Sequence, residues 1–288
     1  MNRFAYTKKA GIIGIIGNIF LILIKATIGS VSGSQAMIAD SINSVGDAFA
    51  SVMTYIGSKV ASKKQDSDHN FGHGKAEYFF SLLISISMIM VTVKLFISSV
   101  LALINGSNFR FSWWLVVVCI TTIVIKFSMF IYTTYLSKKY KNLLLESSRM
   151  EHLCDCVTIT FTLISVLLSL KNIYWFDSVV SMGISIWIFY IGLKLFSASF
   201  NVLMDKSMNE EQKEKLKTII DSIKEIKGIE HFNTVPVGYK YLVSITIFVD
   251  GNLSTYESHE IADKLERKLE NLDYVYATII HVEPIKVK

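Results

Sequence analysis

The sequence predicts a membrane protein with six transmembrane helices, followed by a small α+β domain. Of its 288 residues 51% are hydrophobic, and only two are prolines. The mean hydropathy of +0.44 is too high for an ordinary soluble protein of this length. The apolar excess ends near residue 203 and a polar tail follows. We therefore expect a transmembrane domain at residues 1–205 and a cytoplasmic domain at residues 206–288.

Six segments have the roughly 20 mostly apolar residues that a membrane helix needs. They are residues 10–30, 36–58, 77–104, 113–136, 150–170 and 175–203. Lysines and arginines are concentrated before the first segment and in the loops after the second and the fourth. The positive-inside rule places these parts in the cytoplasm, so we expect a multi-pass protein of the cell membrane with both termini cytoplasmic.

After Met208 the pattern changes to amphipathic elements of soluble length. They are a helix at 209–226, strands at 230–237 and 239–250, a helix at 254–269 and a strand at 274–282. The order αββαβ predicts a small α+β domain with its helices on one face of the sheet.

The composition also excludes several classes of function. The net charge of +5 comes from lysines in a few connecting loops, without interleaved aromatic residues, so we expect no nucleic-acid partner. The three cysteines lie in apolar segments, which argues against a disulfide framework. Because the spans contain no His-Glu-x-x-His pair, an intramembrane metal-dependent hydrolase is not favoured, and we expect no enzyme.

Acidic residues interrupt the second and the fifth apolar segments. Residues four or seven apart share a helix face, so Asp40, Asn43 and Asp47 form one stripe, while Glu151 and Asp155 form another. A carboxylate inside a membrane costs at least a few kcal/mol and is retained mainly for a function. The alternative is that these carboxylates hydrogen-bond between helices as structural contacts. Two such stripes indicate a cation site if they face each other.

The chemistry of these side chains favours a divalent ion. Asn43, Asp47, Glu151 and Asp155 offer only oxygen, which suits hard or borderline ions such as Mn²⁺, Mg²⁺ or Ca²⁺. His152 lies three residues before Asp155, and an imidazole would move the preference towards Zn²⁺ or Fe²⁺. His152 and Asp40 are therefore accessory candidates.

Two further groups of side chains could bind metal outside the spans. In the loop after the second segment, Asp66, His69 and His73 have a suitable spacing, although a solvated loop without a ligand explains them equally well. In the soluble domain, alternate strand positions let His281 and Glu283 share an ion near His259. Ordinary surface histidines are the alternative there.

Two lysines lie inside predicted spans, where a charge needs an explanation. Lys25 and Lys126 either extend towards the membrane surface or pair with an internal acid. Because Lys25 is in the middle of its span, we expect it to pair.

Three segments together resemble the cation diffusion facilitator family. They are Ala39–Ser51, with the sequence ADSINSVGDAFAS, Phe71–Glu77, with FGHGKAE, and Glu151–Asp155, with EHLCD. The resemblance covers nearly the whole chain and implies six spans, cytoplasmic termini and a ferredoxin-like C-terminal domain. It further implies a homodimeric antiporter that exports a divalent metal from the cytoplasm in exchange for protons, by alternating access.

The resemblance also assigns roles to individual residues. The family's transport site maps to Asn43, Asp47, Glu151 and Asp155. Zinc-transporting members generally have His or Asp in place of Asn43 and His in place of Glu151. An Asn in the second span, with an acid followed by His in the fifth, is associated with manganese. The resemblance therefore favours Mn²⁺ over Zn²⁺ or Fe²⁺, with Co²⁺ and Cd²⁺ also in the range of the family.

The remaining family positions lie outside the spans. The resemblance assigns a loop metal site to Asp66, His69 and His73, and cytoplasmic ligands to His259, His281 and Glu283. Thr246 and Asn233 stand where zinc-binding members have histidines, which argues against a tight binuclear site and for dimerisation or weak sensing. Lys75 and Asp205 match a charge pair that links the spans of the two subunits at the membrane face.

Two rival functions remain open from the sequence. A passive cation channel would use the same acids to line a pore, but it would need no proton counterflow. A membrane sensor built round the soluble domain would tolerate the loss of Asp47.

Overall fold

The computed structural model describes residues 3–32, 35–105, 112–171 and 173–285, without the side chains of 32, 35–37, 39, 42 and 43. The helices of the first part are α1 Arg3–Ser32, α2 Gln35–Ala61, α3 Ala76–Asn105, α4 Trp113–Tyr140, α5 Leu143–Ser169 and α6 Trp175–Leu203. The second part contains α7 Glu210–Asp221, β1 Gly228–Val237, β2 Lys240–Asp250, α8 Thr255–Glu270 and β3 Val275–Ile285. The chain divides into two compact units, one formed by Met1–Lys63 with Ala76–Phe200, the other by Lys64–Lys75 with Asn201–Lys288.

Five helices are long and apolar enough to cross a membrane, counted over the described residues: α1, α3, α4, α5 and α6. The predicted helical transmembrane domain is confirmed to that extent. The helix α2 is continuous over 27 residues but is not among these five. Its sequence includes two aspartates and several serines, which lower its hydropathy. A sixth membrane crossing by α2 stays a prediction.

Two of these helices begin earlier than their apolar segments. The helix α1 begins at Arg3 rather than at residue 10, and α5 begins at Leu143 rather than at residue 150. Polar groups satisfy the first amides of α5: Asn142 Oδ1 accepts from Leu145 N at 3.2 Å, and Glu77 Oε1 accepts from Leu143 N at 2.7 Å. Hydropathy locates the apolar run, whereas these caps determine where the helix starts.

The start of α5 is held by a buried ion pair that the sequence did not reveal. Glu77 is only 1% exposed, and both of its carboxylate oxygens accept from the Arg3 guanidinium at 2.9 Å. Charges buried in this way are tolerated when they are paired and hydrogen-bonded. The pair therefore joins the first turns of α1, α3 and α5.

Small residues allow α1 to approach α2 very closely. A Cβ on Gly11 would lie 2.7 Å from the Tyr55 amide nitrogen, and one on Gly14 would lie 2.6 Å from Ser51 Oγ. Real Cβ atoms do not tolerate such distances, so only glycine fits at these two positions. The close approach brings Asn18 of α1 to the backbone of α2, where its Nδ2 donates to the Asp47 carbonyl at 3.0 Å.

The C-terminal part folds as the αββαβ order predicts, with a small mixed sheet of order β1-β2-β3. The strands β1 and β2 pair antiparallel, while β2 and β3 pair in parallel. The core of this domain joins buried residues of the sheet, such as Val243 and Ile245, to Leu216 of α7 and Leu265 of α8. A capping box between Ser254 and Glu257 begins α8.

The helix α7 is shorter than predicted. It ends at Asp221 instead of continuing to residue 226. The chain turns there, and Ile223 and Ile226 pack into the core of the domain from the turn. The spacing of these two apolar residues fits a helix, which is why the prediction extended α7 to residue 226.

The loop Lys64–Lys75 belongs to the second unit. Its Phe71 ring meets the edge of Tyr276, with ring centroids 6.0 Å apart, and Gln65 hydrogen-bonds the Tyr276 hydroxyl. A Cβ on Gly74 would lie 3.0 Å from the Cα of Gly238. The loop is therefore packed on β3 and on the turn between β1 and β2.

Candidate metal centre

Three carboxylates from α2 and α5 meet inside the helical unit. One ligand oxygen each of Asp47, Glu151 and Asp155 lies within 4.8 Å of the others. Glu151 is buried, while the side chains of Asp47 and Asp155 are 26% and 24% exposed. The four-residue step between Glu151 and Asp155 places both on one face of α5, as the sequence predicts. Of the α2 stripe, Asp47 therefore faces the two acids of α5.

A lysine from a third helix lies between two of these acids. Lys126 of α4 is 1% exposed, and its Nζ lies 2.7 Å from Asp47 Oδ2 and 2.6 Å from Asp155 Oδ2. The sequence left open whether Lys126 extends to the surface or pairs with an acid, and pairing is what is found. Its position between both acids was not predicted.

Glu151 and His152 lack hydrogen-bond partners among the described residues. Both carboxylate oxygens of Glu151 and the Nδ1 atom of His152 are buried without such a partner. Buried polar atoms are normally satisfied, so the two unpartnered carboxylate oxygens of Glu151 are candidates to bind a cation. Carboxylate oxygens are ligands that hard divalent ions prefer, and those of Glu151 accept no hydrogen bond from the described residues.

Of the remaining predicted members of the site, Asp40 lies outside this cluster, and the prediction for Asn43 falls on a side chain that the structure does not describe. The side chain of Asn43 lies outside the described residues, although its backbone belongs to α2. The side chain of Asp40 is 52% exposed, and its Oδ2 lies 2.8 Å from Lys25 Nζ. Lys25 Nζ also donates to Ser44 Oγ at 3.0 Å. The predicted pairing of Lys25 with an internal acid is confirmed.

Polar residues that the sequence analysis missed hold the two acidic helices in place. Asn18 binds the Asp47 carbonyl, and Thr54 Oγ1 lies 2.8 Å from Ser148 Oγ across the contact between α2 and α5. Thr54 follows Asp47 by seven residues, and Ser148 precedes Asp155 by seven. Small hydroxyl residues on the same helix face as the acids were the signal that could have found them.

The loop residues Asp66, His69 and His73 form a second cluster. One ligand atom of each lies within 4.8 Å of the others. Asp66 Oδ1 lies 3.2 Å from His69 Nδ1, Asp66 Oδ2 lies 3.6 Å from His73 Nε2, and the two imidazole rings are 4.2 Å apart. Gly72, with φ of +73°, lets the chain turn so that its amide donates to the His69 carbonyl at 2.9 Å.

Local hydrogen bonds orient the Asp66 carboxylate in this loop. Asp66 Oδ1 accepts from the amide of His69 at 2.8 Å and from that of Asp68 at 3.1 Å. These bonds, with the His69 amide as the largest contribution, hold the pKa of Asp66 below its ordinary value. The carboxylate is therefore ionised and oriented towards both histidines at neutral pH.

The predicted ligands of the cytoplasmic domain do not form such a cluster. His281 Nε2 lies 3.4 Å from Glu283 Oε1, whereas His259 contacts Asp263 at 3.6 Å instead. No group of three close ligands includes them among the residues that the structure describes. Thr246 is the neighbour of His281 in the parallel register of β2 and β3, and Asn233 pairs with Ser244.

The charge pair between Lys75 and Asp205 forms within one chain. Lys75 Nζ donates to Asp205 Oδ1 at 2.6 Å, and both residues belong to the second unit. Asp205 has a φ of +56°, a left-handed conformation just after α6. The pair therefore fastens the end of the loop Lys64–Lys75 to the beginning of the C-terminal segment.

Comparison with known proteins matches both parts of the chain to one family. Residues 11–204 match the cation efflux transmembrane domain, and residues 208–285 match the cytoplasmic domain of cation efflux proteins. The manganese efflux system protein MneP of Bacillus subtilis is 27% identical over 98% of this chain and 97% of its own. An uncharacterized transporter of Methanocaldococcus jannaschii is 27% identical over 96% of this chain and 98% of its own length. The magnetosome protein MamM of Magnetospirillum gryphiswaldense is 24% identical over 90% of this chain and 82% of its own length.

Proposed function

The chain belongs to the cation efflux family, also called cation diffusion facilitators, and we propose that it exports Mn²⁺ from the cytoplasm in exchange for protons. The observation that carries this proposal is the meeting of Asp47, Glu151 and Asp155 inside the helical unit. A cation efflux protein needs a place within the membrane where the ion pauses, and these three carboxylates supply it. It acts as a transporter and not as an enzyme.

The choice of metal rests on the donors of the cluster. Carboxylate oxygens from three residues, joined by the Asn43 carbonyl, favour Mn²⁺ over softer ions. The relative MneP is named a manganese efflux protein, which supports the same choice. The alternatives within this family are Zn²⁺ and Fe²⁺, towards which His152 would contribute, followed by Co²⁺ and Cd²⁺.

Proton exchange follows from competition for the same oxygens. In the inward-facing state the metal displaces protons from Asp47, Glu151 and Asp155, while Asn43 contributes a neutral oxygen. After the helices rock outward, protons from the external side return to the carboxylates and weaken the site, so the ion leaves. The proton gradient thereby drives export.

This function requires a particular assembly and topology. The protein is a homodimer in the cell membrane with both termini in the cytoplasm. The helix α2 also crosses the membrane, which brings the number of spans to six. Residues 1–205 form the transport domain, and residues 206–288 form a ferredoxin-like domain that serves dimerisation. Lys75 and Asp205 brace the membrane face of the dimer. The loop cluster of Asp66, His69 and His73 is an auxiliary metal site, and His259, His281 and Glu283 form a weak cytoplasmic one.

The test is metal-driven proton flux in sealed vesicles that contain the purified protein. We expect Asp47→Ala and Asp155→Ala each to reduce flux by at least about a hundredfold, because an ion loses a charged ligand in a buried site. Asp177→Ala is the matched control, since it removes a carboxylate from the first turn of α6, outside the cluster. Size-exclusion chromatography should show the same dimer for all variants.

Three outcomes would contradict the proposal. Normal flux in both cluster variants would exclude this site as the transport site. Metal conductance without obligatory proton counterflow would indicate a passive channel. Preferential transport of Zn²⁺ in a series with Mn²⁺, Zn²⁺, Fe²⁺, Co²⁺ and Cd²⁺ would correct the metal and leave the rest unchanged.

A further inference from the structure

Lys126 occupies the position where a metal would bind. Its ammonium nitrogen contacts one oxygen each of Asp47 and Asp155, and these belong to the carboxylates proposed to hold the ion. A fully buried lysine is costly in a membrane domain unless acids neutralise it. Conversely, two carboxylates this close repel one another unless a cation lies between them. Lys126, with one positive charge, therefore satisfies part of the electrostatic need that a divalent ion would satisfy in full.

The metal and the Lys126 ammonium cannot both hold these oxygens comfortably. Hard divalent ions lie about 2.0–2.6 Å from their oxygen ligands. An ion on Asp47 Oδ2 or Asp155 Oδ2 would then lie within about 5 Å of Nζ, which is itself 2.7 and 2.6 Å from these atoms. Two positive charges at that separation repel strongly away from water.

The helix that carries Lys126 differs from those that carry the acids. Asp47 lies on α2 and Asp155 on α5, whereas Lys126 lies on α4. The lysine side chain is long and flexible, so its ammonium can leave the acids without a movement of either acidic helix.

We propose that Lys126 is an intramolecular competitor of the transported ion. When no metal is bound, its ammonium bridges Asp47 and Asp155 and offsets one of their negative charges, and protons offset the rest. The arriving ion displaces the ammonium, and the return of the ammonium helps to expel the ion on the other side. Lys126 thereby sets how tightly an ion must bind to be carried, which makes it a specificity-determining residue. This inference rests on the proposed function.

Lys25 provides the contrast that the test needs. It is also a buried intramembrane lysine, but its acid is the half-exposed Asp40, and it also contacts the Ser44 hydroxyl. The Lys25 pair lies outside the group of Asp47, Glu151 and Asp155. Loss of the Lys25 charge should therefore leave ion binding at that group unchanged.

The first experiment measures Mn²⁺ binding to the purified full-length protein by isothermal titration calorimetry. We expect Lys126→Met, which keeps the length of the side chain without its charge, to bind Mn²⁺ at least about tenfold more tightly than the unmodified protein. Its transport in vesicles should become slower, because release is impaired. Lys25→Met should bind within about twofold of the unmodified protein. Equal or weaker binding by Lys126→Met would overturn the inference and make Lys126 a static structural pair.

The second experiment needs no variant and decides the matter if Lys126→Met does not fold. A structure of the unmodified protein with saturating Mn²⁺ should show the ion on Asp47 and Asp155, with Lys126 Nζ more than 3.5 Å from both. Nζ still within hydrogen-bond distance of both acids would overturn the inference alone. Failure of Mn²⁺, Zn²⁺, Fe²⁺, Co²⁺ and Cd²⁺ to bind this group at all would overturn the proposed function as well.

Discussion

The two ligand clusters of this protein contain the same number of side chains but are held together by different forces. The membrane cluster of Asp47, Glu151 and Asp155 is enclosed by helices, and the ammonium of Lys126 pairs with two of its carboxylates. The loop cluster centres on Asp66, which is 48% exposed and is oriented by backbone amides. The buried carboxylates are paired with a charge from another helix, whereas backbone amides of a local turn orient the exposed carboxylate of Asp66.

This difference supports our proposal that the membrane cluster, and not the loop cluster, is the transport site. Solvent screens the charges of the loop cluster, so an ion gains little there and leaves easily. The buried carboxylates cannot remain uncompensated, so a metal, protons or a lysine must occupy them. The membrane cluster therefore couples its occupants to one another, and the loop cluster does not.

The most informative change replaces one oxygen ligand of the membrane cluster. Glu151→His adds a softer nitrogen donor, so we expect the ratio of Zn²⁺ to Mn²⁺ transport to rise by about tenfold. The measurement is initial uptake into vesicles with each ion separately. Asp177→His is the matched control, because it adds an imidazole in the first turn of α6, outside the cluster. An unchanged ratio in Glu151→His would show that the donors of this cluster do not choose the metal.

A smaller effect should follow from loosening the contact between α2 and α5. We expect Thr54→Val to lower the free energy of unfolding by about 1 kcal/mol, because Ser148 loses a buried hydrogen-bond partner. A double-mutant cycle with Ser148→Ala, followed by thermal unfolding in detergent, should give a coupling of about 0.6 kcal/mol.

The control for this pair is Thr92→Val. The Thr92 hydroxyl donates to the Met88 carbonyl of its own helix at 2.6 Å, so its loss removes no contact between helices. A coupling near zero between Thr54 and Ser148 would contradict the view that polar contacts between helices position the membrane cluster.

The smallest effect is expected in the loop cluster at mildly acidic pH. The pKa of Asp66 lies below its ordinary value of 3.8, so the ionised carboxylate stabilises the folded loop above that pH. This stabilisation is lost only as the pH falls through the lowered pKa. Hydrogen exchange of residues 66–73, corrected for intrinsic rates, should therefore show unchanged protection between pH 7 and about pH 4. Loss of protection near pH 6, matching that of Asp66→Ala, would contradict this role.

The sequence could identify the acids but not their neighbours. Helical spacing predicts that Glu151 and Asp155 share a face, because that relation lies within one helix. The position of Lys126 between Asp47 and Asp155 depends on how α4 is rotated and shifted against α2 and α5. No periodicity within a single segment contains that information. The loop cluster was easier to identify, because all three of its residues lie within eight positions of the chain.

Local sequence patterns also predict the order of the secondary-structure elements better than the residues at which they end. The order αββαβ followed from alternation and helical periodicity, and the structure confirms it. The prediction extended α7 too far, because Ile223 and Ile226 fit a helical pattern although they pack from a turn. Glu77 stands at the start of an apolar segment, where the sequence gives no sign of a partner, but it is buried and paired with Arg3. Tertiary contacts decide both cases.

The glycines of α1 place a steric constraint on chemistry two turns away. Gly11 and Gly14 let α1 lie directly against Tyr55 and Ser51 of α2, so the two helices are packed backbone to backbone at this point. A methyl group at either glycine would push the helices apart and draw the Asn18 amide away from the carbonyl of Asp47. The ability of this protein to hold an ion thus depends on two residues that offer it no ligand.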